Sequence, residues 1–492
     1  SEFDLHSTSS FLNEAGIPQT NVIKDIDGQS RNNIMPDIGA DEFDLVSNDV
    51  GLLEINGPSL PFPSGNNFIY IKFQNNGIDT LTSMVVNWKV NGVSQPPHLW
   101  TGILPSGETY DSLDIGIYNF PAFTNHSLQI WVSLPNGIVD ELNTNDTLYK
   151  NNLYPALQGS YTIGGTNPDF VSLKNAIQEL NNGGVLGNVT FNIRPGIYED
   201  TLKFSQFIGS GCSNVILFQT ETGLREDVVI TNLGLDKATI RFNGADGVQL
   251  KNLTIKSVNP AYKNVIEING GAHCNLIENC IIEGLALNGY GGGENESVIV
   301  SRSSPSTLDT FNVIANNTIK NGSNGIYFVN GKKTIIENNI FENNFNTSIT
   351  LQGESQFIVQ NNDITQTQNS GSSFNGIEAY WFGGGATISK NKIISTKIRY
   401  GINIYNSSGN NINPINVSNN VISNLSGSSN QVESINIYSC SNVNVYHNSI
   451  ITHSTYYGFG LNLQYNTSLH VKNNISMSSG VIYAANYIGN TA

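Results

Sequence analysis

Arg302, Glu378, Lys390 and Arg399 are the side chains of the C-terminal half best suited to act together. A carboxylate among cations is a minimal acid–base set, provided neighbouring turns of the chain bring the four into one place. Glu378 stands two residues before Tyr380-Trp381-Phe382, which Gly383-Gly384-Gly385 follows. Rings beside a carboxylate suit sugar binding, because aromatic faces stack on the apolar faces of pyranoses; the same rings could instead shield a loop over the core. Tyr380, Trp381, Tyr405 and Tyr438 are the ligand-binding candidates. They belong to a wider set, with Tyr400, Tyr446, Tyr456, Tyr457, Tyr465, Tyr483 and Tyr487, that either lines one face or reflects ordinary strand preference. Asp140, Glu141 and Asp146 form a second polar group. Clustered carboxylates suit a hard cation such as Ca2+, and a solvated turn is the alternative reading.

Regular reactive groups are otherwise scarce. After Asn252 only two aspartates remain, Asp309 and Asp363, and no acidic residue occurs from Ser434 onward. His273, His447, His453 and His470 share no spacing. Four cysteines (212, 274, 280 and 440) are too few for a disulfide framework. Cys274 and Cys280 are placed either to pair or to be small buried residues of a coil.

The elements that must position these groups announce themselves through a repeated phrase. Asn252, Asn279, Asn316, Asn338, Asn361, Asn391, Asn419, Asn448 and Asn473 each begin an "N-x-x-apolar" run, at intervals of 22 to 37 residues. An aliphatic residue stands two positions before seven of them; Ser389 and Tyr446 are the exceptions. Ile or Phe stands three positions after eight, with Ser476 the exception. A fixed minimum period with variable insertions predicts a solenoid with loops leaving at its corners. Asn side chains are expected to satisfy turn amides in successive coils while Ile stacks fill the core. Leucine-rich repeats share the Asn ladder but demand Leu, and here the slots hold Ile, Val and Phe.

Charge adds two exclusions. Formal net charge is −16, with 18 acids and 5 bases in residues 1–157 and 21 acids and 18 bases in 158–492. Neither part has the basic footprint of a nucleic-acid partner. No apolar run of 18 residues exists to span a membrane.

Three segments are expected. Residues 158–492 open with Phe170, Leu173, Ala176, Ile177 and Leu180 at helical spacing, then the strand Val189–Ile193, then Arg194-Pro195-Gly196-Ile197-Tyr198-Glu199. That order resembles the opening of pectate lyase-like and pectin esterase-like proteins, and it implies a right-handed parallel β-helix capped by its helix. Residues 45–157 carry alternating runs at 68–73, 84–90 and 128–132, the mark of an immunoglobulin-like β-sandwich. With Asn75-Asn76-Gly77, Leu104-Pro105-Ser106-Gly107 and Asp140–Asp146, the segment resembles the CARDB family, an adhesion-related module of bacterial surface proteins. In residues 1–44, Ser7–Gly16, Asp25–Gly28 and Pro36–Phe43 resemble the closing sequence of secreted bacterial β-helices, which implies the end of an upstream solenoid. An acidic, cation-prone loop cluster is the other reading of that stretch.

The β-helix resemblance implies polysaccharide chemistry only where charge is concentrated. Such lyases use Ca2+ clusters with an Arg or Lys, and the esterases and hydrolases use grouped Asp; those groupings are absent here. The expected function is a fragment of a large secreted or surface-displayed bacterial protein, a stalk or adhesin that binds polysaccharide, other surfaces, or other surface or secretion proteins. The resemblance suggests export by a type IX-like route. Four "D-[S/T]-Leu" phrases (at Asp79, Asp111, Asp146 and Asp200) resemble O-glycan acceptors of some bacteria. The alternative is a polysaccharide lyase or hydrolase with its site near Glu378 and Arg302.

Overall fold

The computed structural model describes residues 12–42, 46–232, 236–258, 264–286, 294–367, 373–425 and 431–491. Residues 7–11 and Phe43 of the N-terminal resemblance, and the side chain of Tyr456, lie outside them. The chain divides into two compact units, Ser1–Ala156 and Leu157–Ala492.

In the first unit, residues 12–42 form turns around a single bridge, Lys24–Ser30, and contain no named strand. Two antiparallel sheets follow. Val50–Ile55, Gly65–Asn75 and Thr109–Phe120 make one; Val93–Ser94, Leu81–Val90, His98–Leu104, His126–Ser133 and Thr147–Leu153 make the other. Alternation puts Ile69, Ile71 and Phe73 of one sheet, and Val86, Trp88, Ile130 and Val132 of the other, into one core. This is the two-sheet arrangement expected of an immunoglobulin-like sandwich.

The second unit is a right-handed parallel β-helix. Each regular coil supplies three short strands, as in Ile335–Glu337, Ile340–Glu342 and Thr347–Gln352. Each strand pairs in parallel with its counterpart one coil on: Ile358–Gln360, Asp363–Gln366 and Phe374–Tyr380. Ile277, Ile314, Ile336, Val359, Ile388, Val417 and Val445 stack coil on coil in one buried column. Ile255, Ile282, Ile319, Phe341, Ile364, Ile393, Ile422 and Ile450 make a second. The helix Leu173–Gly183 buries Leu173, Ala176, Ile177 and Leu180 over the first coil, and its amide at Asn175 is capped by the Ser172 hydroxyl (3.2 Å). It covers core that an open end would leave wet.

The nine asparagines prove to be two ladders rather than one. Asn252, Asn279, Asn316, Asn338, Asn361, Asn419 and Asn473 are left-handed corner residues with φ of 50° to 59°. Asn tolerates this conformation better than other side chains that carry a Cβ. In the remaining two coils the corner residue is Lys390 or His447, also left-handed, and Asn391 and Asn448 stand one position later. Those two belong to an inner ladder with Asn317, Asn339, Asn362, Asn420 and Asn474, buried throughout except at the half-buried Asn474. In it each amide oxygen accepts the backbone N–H of the equivalent residue one coil back, as Asn362 does from Asn339 (3.0 Å) and Asn391 from Asn362 (3.1 Å). Counted from the corner, Ile388 and Val445 fill the aliphatic slot, so Ser389 and Tyr446 cease to be exceptions.

A disulfide joins Cys212 to Cys274, not Cys274 to Cys280; Cys280 and Cys440 are buried free thiols. Cys280 replaces Asn in the buried ladder, its N–H donating to Asn317 Oδ1 (2.8 Å). The sequence could not reveal the pair because its partners are 62 residues apart and meet only through coil stacking. Replacing Cys212 and Cys274 together by serine is expected to lower solenoid stability by about 2–4 kcal/mol, the usual worth of a bridge closing a long loop. Denaturant unfolding of wild type and variant checks this; equal midpoints would show the bridge to be dispensable.

Candidate functional site

Parallel pairing places outward side chains of successive coils in rows about 4.8 Å apart. Three rows run side by side over strands Phe374–Tyr380, Ile398–Tyr405, Val432–Tyr438 and Ser449–Gln464. The central row is Glu378, Asn403, Asn436, Asn462 and then Asn486. Each amide donates toward the coil before it: Asn486 to Asn462 (2.9 Å), Asn462 to Asn436 (3.0 Å), Asn436 to Asn403 (2.8 Å) and Asn403 to Glu378 Oε1 (2.9 Å). One flank is Tyr380, Tyr405, Tyr438 and Gln464. The Tyr380 and Tyr405 rings are parallel within 7° at 4.7 Å. Tyr380 is fixed from behind, since its hydroxyl and that of Tyr327 both donate to Gln352 Oε1 (3.0 and 3.1 Å). The other flank is Asn375, Tyr400 and Glu433.

These rows border an open groove of about 520 Å³ lined by Glu378, Arg399, Tyr400, Asn403, Glu433 and Tyr438 among others. Burial pushes the Glu378 carboxyl above its ordinary range, against the pull of the Asn403 hydrogen bond and the Arg399 charge. Glu433 accepts from Asn462 Nδ2 (2.7 Å) and from Gln431. The Arg399 guanidinium lies 4.9 Å from the Tyr400 ring centre.

Of the four residues expected to act together, the groove holds Glu378 and Arg399 and excludes the other two. Arg302 pairs with Glu267 (2.8 Å), which Arg241 also holds (2.8 Å). Its row passes through Val329 and Gln352 before reaching Tyr380, so it lies three coils, about 14 Å, from the strand of Glu378. Lys390 occupies the Asn corner between Ala386–Ser389 and Lys392–Ser395, a different edge of the coil. Trp381, at a left-handed corner, is 59% exposed and meets Tyr380 edge-on at 5.0 Å. Tyr438 is 41% exposed and lines the groove with Tyr405. Tyr380, packed under Tyr405 and Trp381, is buried and, like Trp381, lies outside the lining, so of the four rings expected to bind ligand the groove holds two.

The structure adds Glu433 and the Asn row, which sequence reading overlooked. The signal was present in Ile402-Asn403-Ile404-Tyr405, Ile435-Asn436-Ile437-Tyr438 and Leu461-Asn462-Leu463-Gln464, a second phrase hidden by variable insertions. Of the histidines, His273 shares a hydrogen bond with Thr310 (2.8 Å), and His447 is a corner residue. In the first unit, Asp140 and Asp146 meet Asp49, whereas Glu141 Oε1 accepts the Asn48 N–H (3.1 Å).

Residues 238–414 match the family model described as the right handed beta helix region. No curated protein matches the chain. Among solved structures it is similar to a family 28 exopolygalacturonase of Yersinia enterocolitica, at 9% identity over 90% of this chain and 98% of that one (TM-score 0.38). It is also similar to the Streptococcus pneumoniae surface protein and adhesin PfbA, at 14% identity over 64% of this chain and 95% of that one (TM-score 0.44). A 22% share of the chain is similar to 96% of a CARDB domain from Pyrococcus furiosus, solved in complex with di-metal ions, at 19% identity (TM-score 0.19). Likeness at this level carries no site residue across. Among the described residues, no helix is long and apolar enough to cross a membrane.

Proposed function

We propose that the solenoid is a glycan-binding rod of a secreted or cell-surface protein, a stalk or adhesin whose polysaccharide ligand lies along the groove from Glu378 to Gln464. The observation that carries this reading is the Tyr405–Tyr438 row lining the groove beside an amide row anchored on Glu378, with the buried Tyr380 ring stacked behind Tyr405 as its brace. Rings offer flat surfaces to sugar faces, and amides offer paired donors and acceptors to hydroxyls. Both repeat at the strand spacing, so a chain of sugars finds like contacts coil after coil. The Cys212–Cys274 bridge supports an oxidising, extracytoplasmic setting.

Titration against a panel of neutral and acidic polysaccharides tests the proposal. Tyr405→Ala and Tyr438→Ala are each expected to weaken binding about tenfold, the worth of one stacked ring. Wild-type affinity in the double variant would overturn it.

A second reading, polysaccharide cleavage, is favoured by one observation: Glu378 and Glu433 line the same groove, and burial raises the former toward a general acid. Reducing-end release by the wild type, abolished in both Glu378→Gln and Glu433→Gln, would establish that reading over binding alone.

A further inference from the structure

The loop before strand Thr147–Leu153 folds back onto the start of strand Val50–Ile55 in the first unit. Glu141 N donates to Asn48 O (3.1 Å) and Leu52 N to Asn145 O (3.0 Å). This brings Asp49 to two carboxylates of the loop, far from it in sequence: oxygens of Asp49, Asp140 and Asp146 all lie within 4.8 Å of one another. Among the described residues no lysine or arginine forms an ion pair with any of the three.

Two buried oxygens there have no hydrogen-bond partner, Asp146 Oδ1 and Asn145 Oδ1. Asp146 is 8% exposed and Asp49 is 1% exposed. Asn145 turns its Nδ2 to Asp49 Oδ1 (3.0 Å), while Asp140 is oriented by the Val50 and Leu142 amides (3.1 and 3.0 Å). An unpaired, buried carboxylate oxygen facing two further carboxylates is costly unless a cation supplies the missing partner.

We propose that Asp49, Asp140 and Asp146 are the ligands of a divalent cation site, with Ca2+ its occupant, pinning the 139–146 loop to the first strand of the sandwich. The donors are all hard oxygens, with no imidazole or thiol in the group, which favours Ca2+ over Zn2+ or other soft metals. Ca2+ also accepts irregular coordination completed by water, whereas Mg2+ needs near-octahedral geometry. Electrostatics agree. Burial first, then the neighbouring carboxylates, pushes the Asp49 carboxyl up to about 6 and that of Asp146 up to about 7, a tension that a bound dication relieves. Glu141, a member of the set suggested by sequence, is a neighbour rather than a ligand. This site is independent of the groove on the solenoid.

The test is calorimetric titration of the chelator-treated full chain with CaCl2, paired with thermal unfolding followed by tryptophan fluorescence in a Trp381→Phe background, since the other three of the four tryptophans, Trp88, Trp100 and Trp131, belong to this unit. Expected are saturable Ca2+ binding, an upward shift of the tryptophan-reported midpoint, and weaker effects of MgCl2. Asp49→Asn and Asp146→Asn should each weaken Ca2+ binding by about tenfold or more, since each removes a ligand charge, while Glu141→Gln should bind within about twofold of wild type. Without Ca2+ the two Asn variants should unfold no earlier than wild type, which separates a lost site from a lost fold. No saturable binding by the wild type, or undiminished binding in both Asn variants, would overturn the proposal.

Discussion

Replacing Asn362 with alanine is expected to destabilise the solenoid by about 3–6 kcal/mol, while Asn338→Ala should cost about 1 kcal/mol. Both belong to the same repeated phrase, in adjacent coils, yet their surroundings differ completely. Asn338 is exposed at a left-handed corner (φ 55°), so its substitution costs only backbone preference. Asn362 is 1% exposed and bridges three coils. Its Oδ1 accepts the backbone N–H (3.0 Å) and Nδ2 (3.1 Å) of Asn339, and its Nδ2 donates to Ile336 O (3.0 Å) and Asn391 Oδ1 (2.9 Å). Truncation takes the side-chain partner from the Asn339 N–H, from the Ile336 carbonyl and from one of the two Asn339 Nδ2 hydrogens, the other staying on Ile314 O (2.8 Å), at roughly 1–3 kcal/mol for each buried group left unsatisfied. A solenoid is stabilised by neighbour contacts, so the damage should concentrate in the flanking coils. Hydrogen exchange across residues 330–395, alongside denaturant unfolding, reads this directly. If Asn362→Ala and Asn338→Ala proved equally mild, the ladder would not be the frame of the rod.

The second large effect is a dependence of stability on pH that originates in Glu354. Its side chain is fully buried, held by the Thr334 hydroxyl (2.6 Å), and burial together with the nearby Asp309 charge pushes its carboxyl up to about 8. In the unfolded chain the same carboxyl titrates near its ordinary value of 4.5. Between these values the folded state holds a proton that the unfolded state has released. Stability from this group is therefore complete below about pH 4.5 and falls as pH rises toward 8, by as much as roughly 1.4 kcal/mol per pH unit. Glu354→Gln keeps a neutral side chain of the same shape and removes the titration. At pH 8 the variant should be more stable than wild type by several kcal/mol, and near pH 4.5 the two should nearly coincide. Unfolding measured at four or five pH values across this span checks it. Parallel pH profiles would show that Glu354 is not the source. Asp49 and Asp146 act with the same sign in the first unit, so the difference between variant and wild type isolates the solenoid carboxyl.

How far the site was legible follows from how each group is placed. The helix expected from Phe170 to Leu180 forms over Leu173–Gly183, with Phe170 buried just ahead of it. The strand at 189–193 is the end of Val185–Ile193. These features are local, set by periodicity and capping. The aliphatic columns were legible as well, because a coil must return an apolar residue to the same slot. Misplacement of Asn391 and Asn448 by one residue had a local cause: Lys390 and His447 occupy corners that Asn usually fills, which shifted the apparent start of the phrase. Arg302 and Lys390 failed as partners of Glu378 for a different reason. Sequence proximity across coils of variable length says nothing about which edge or which coil a side chain reaches.

The coil, its minimum period, its core columns and the sandwich before it all follow from residue type at short range, and so are written in the order of amino acids alone. Which side chains stand together is fixed at the level of the folded chain. Outward rows such as Glu378–Asn403–Asn436–Asn462, and the meeting of Asp49 with Asp140 and Asp146, depend on strand register between segments tens of residues apart. That register is set by hydrogen bonds between coils and strands, after insertions of any length have been absorbed at the corners.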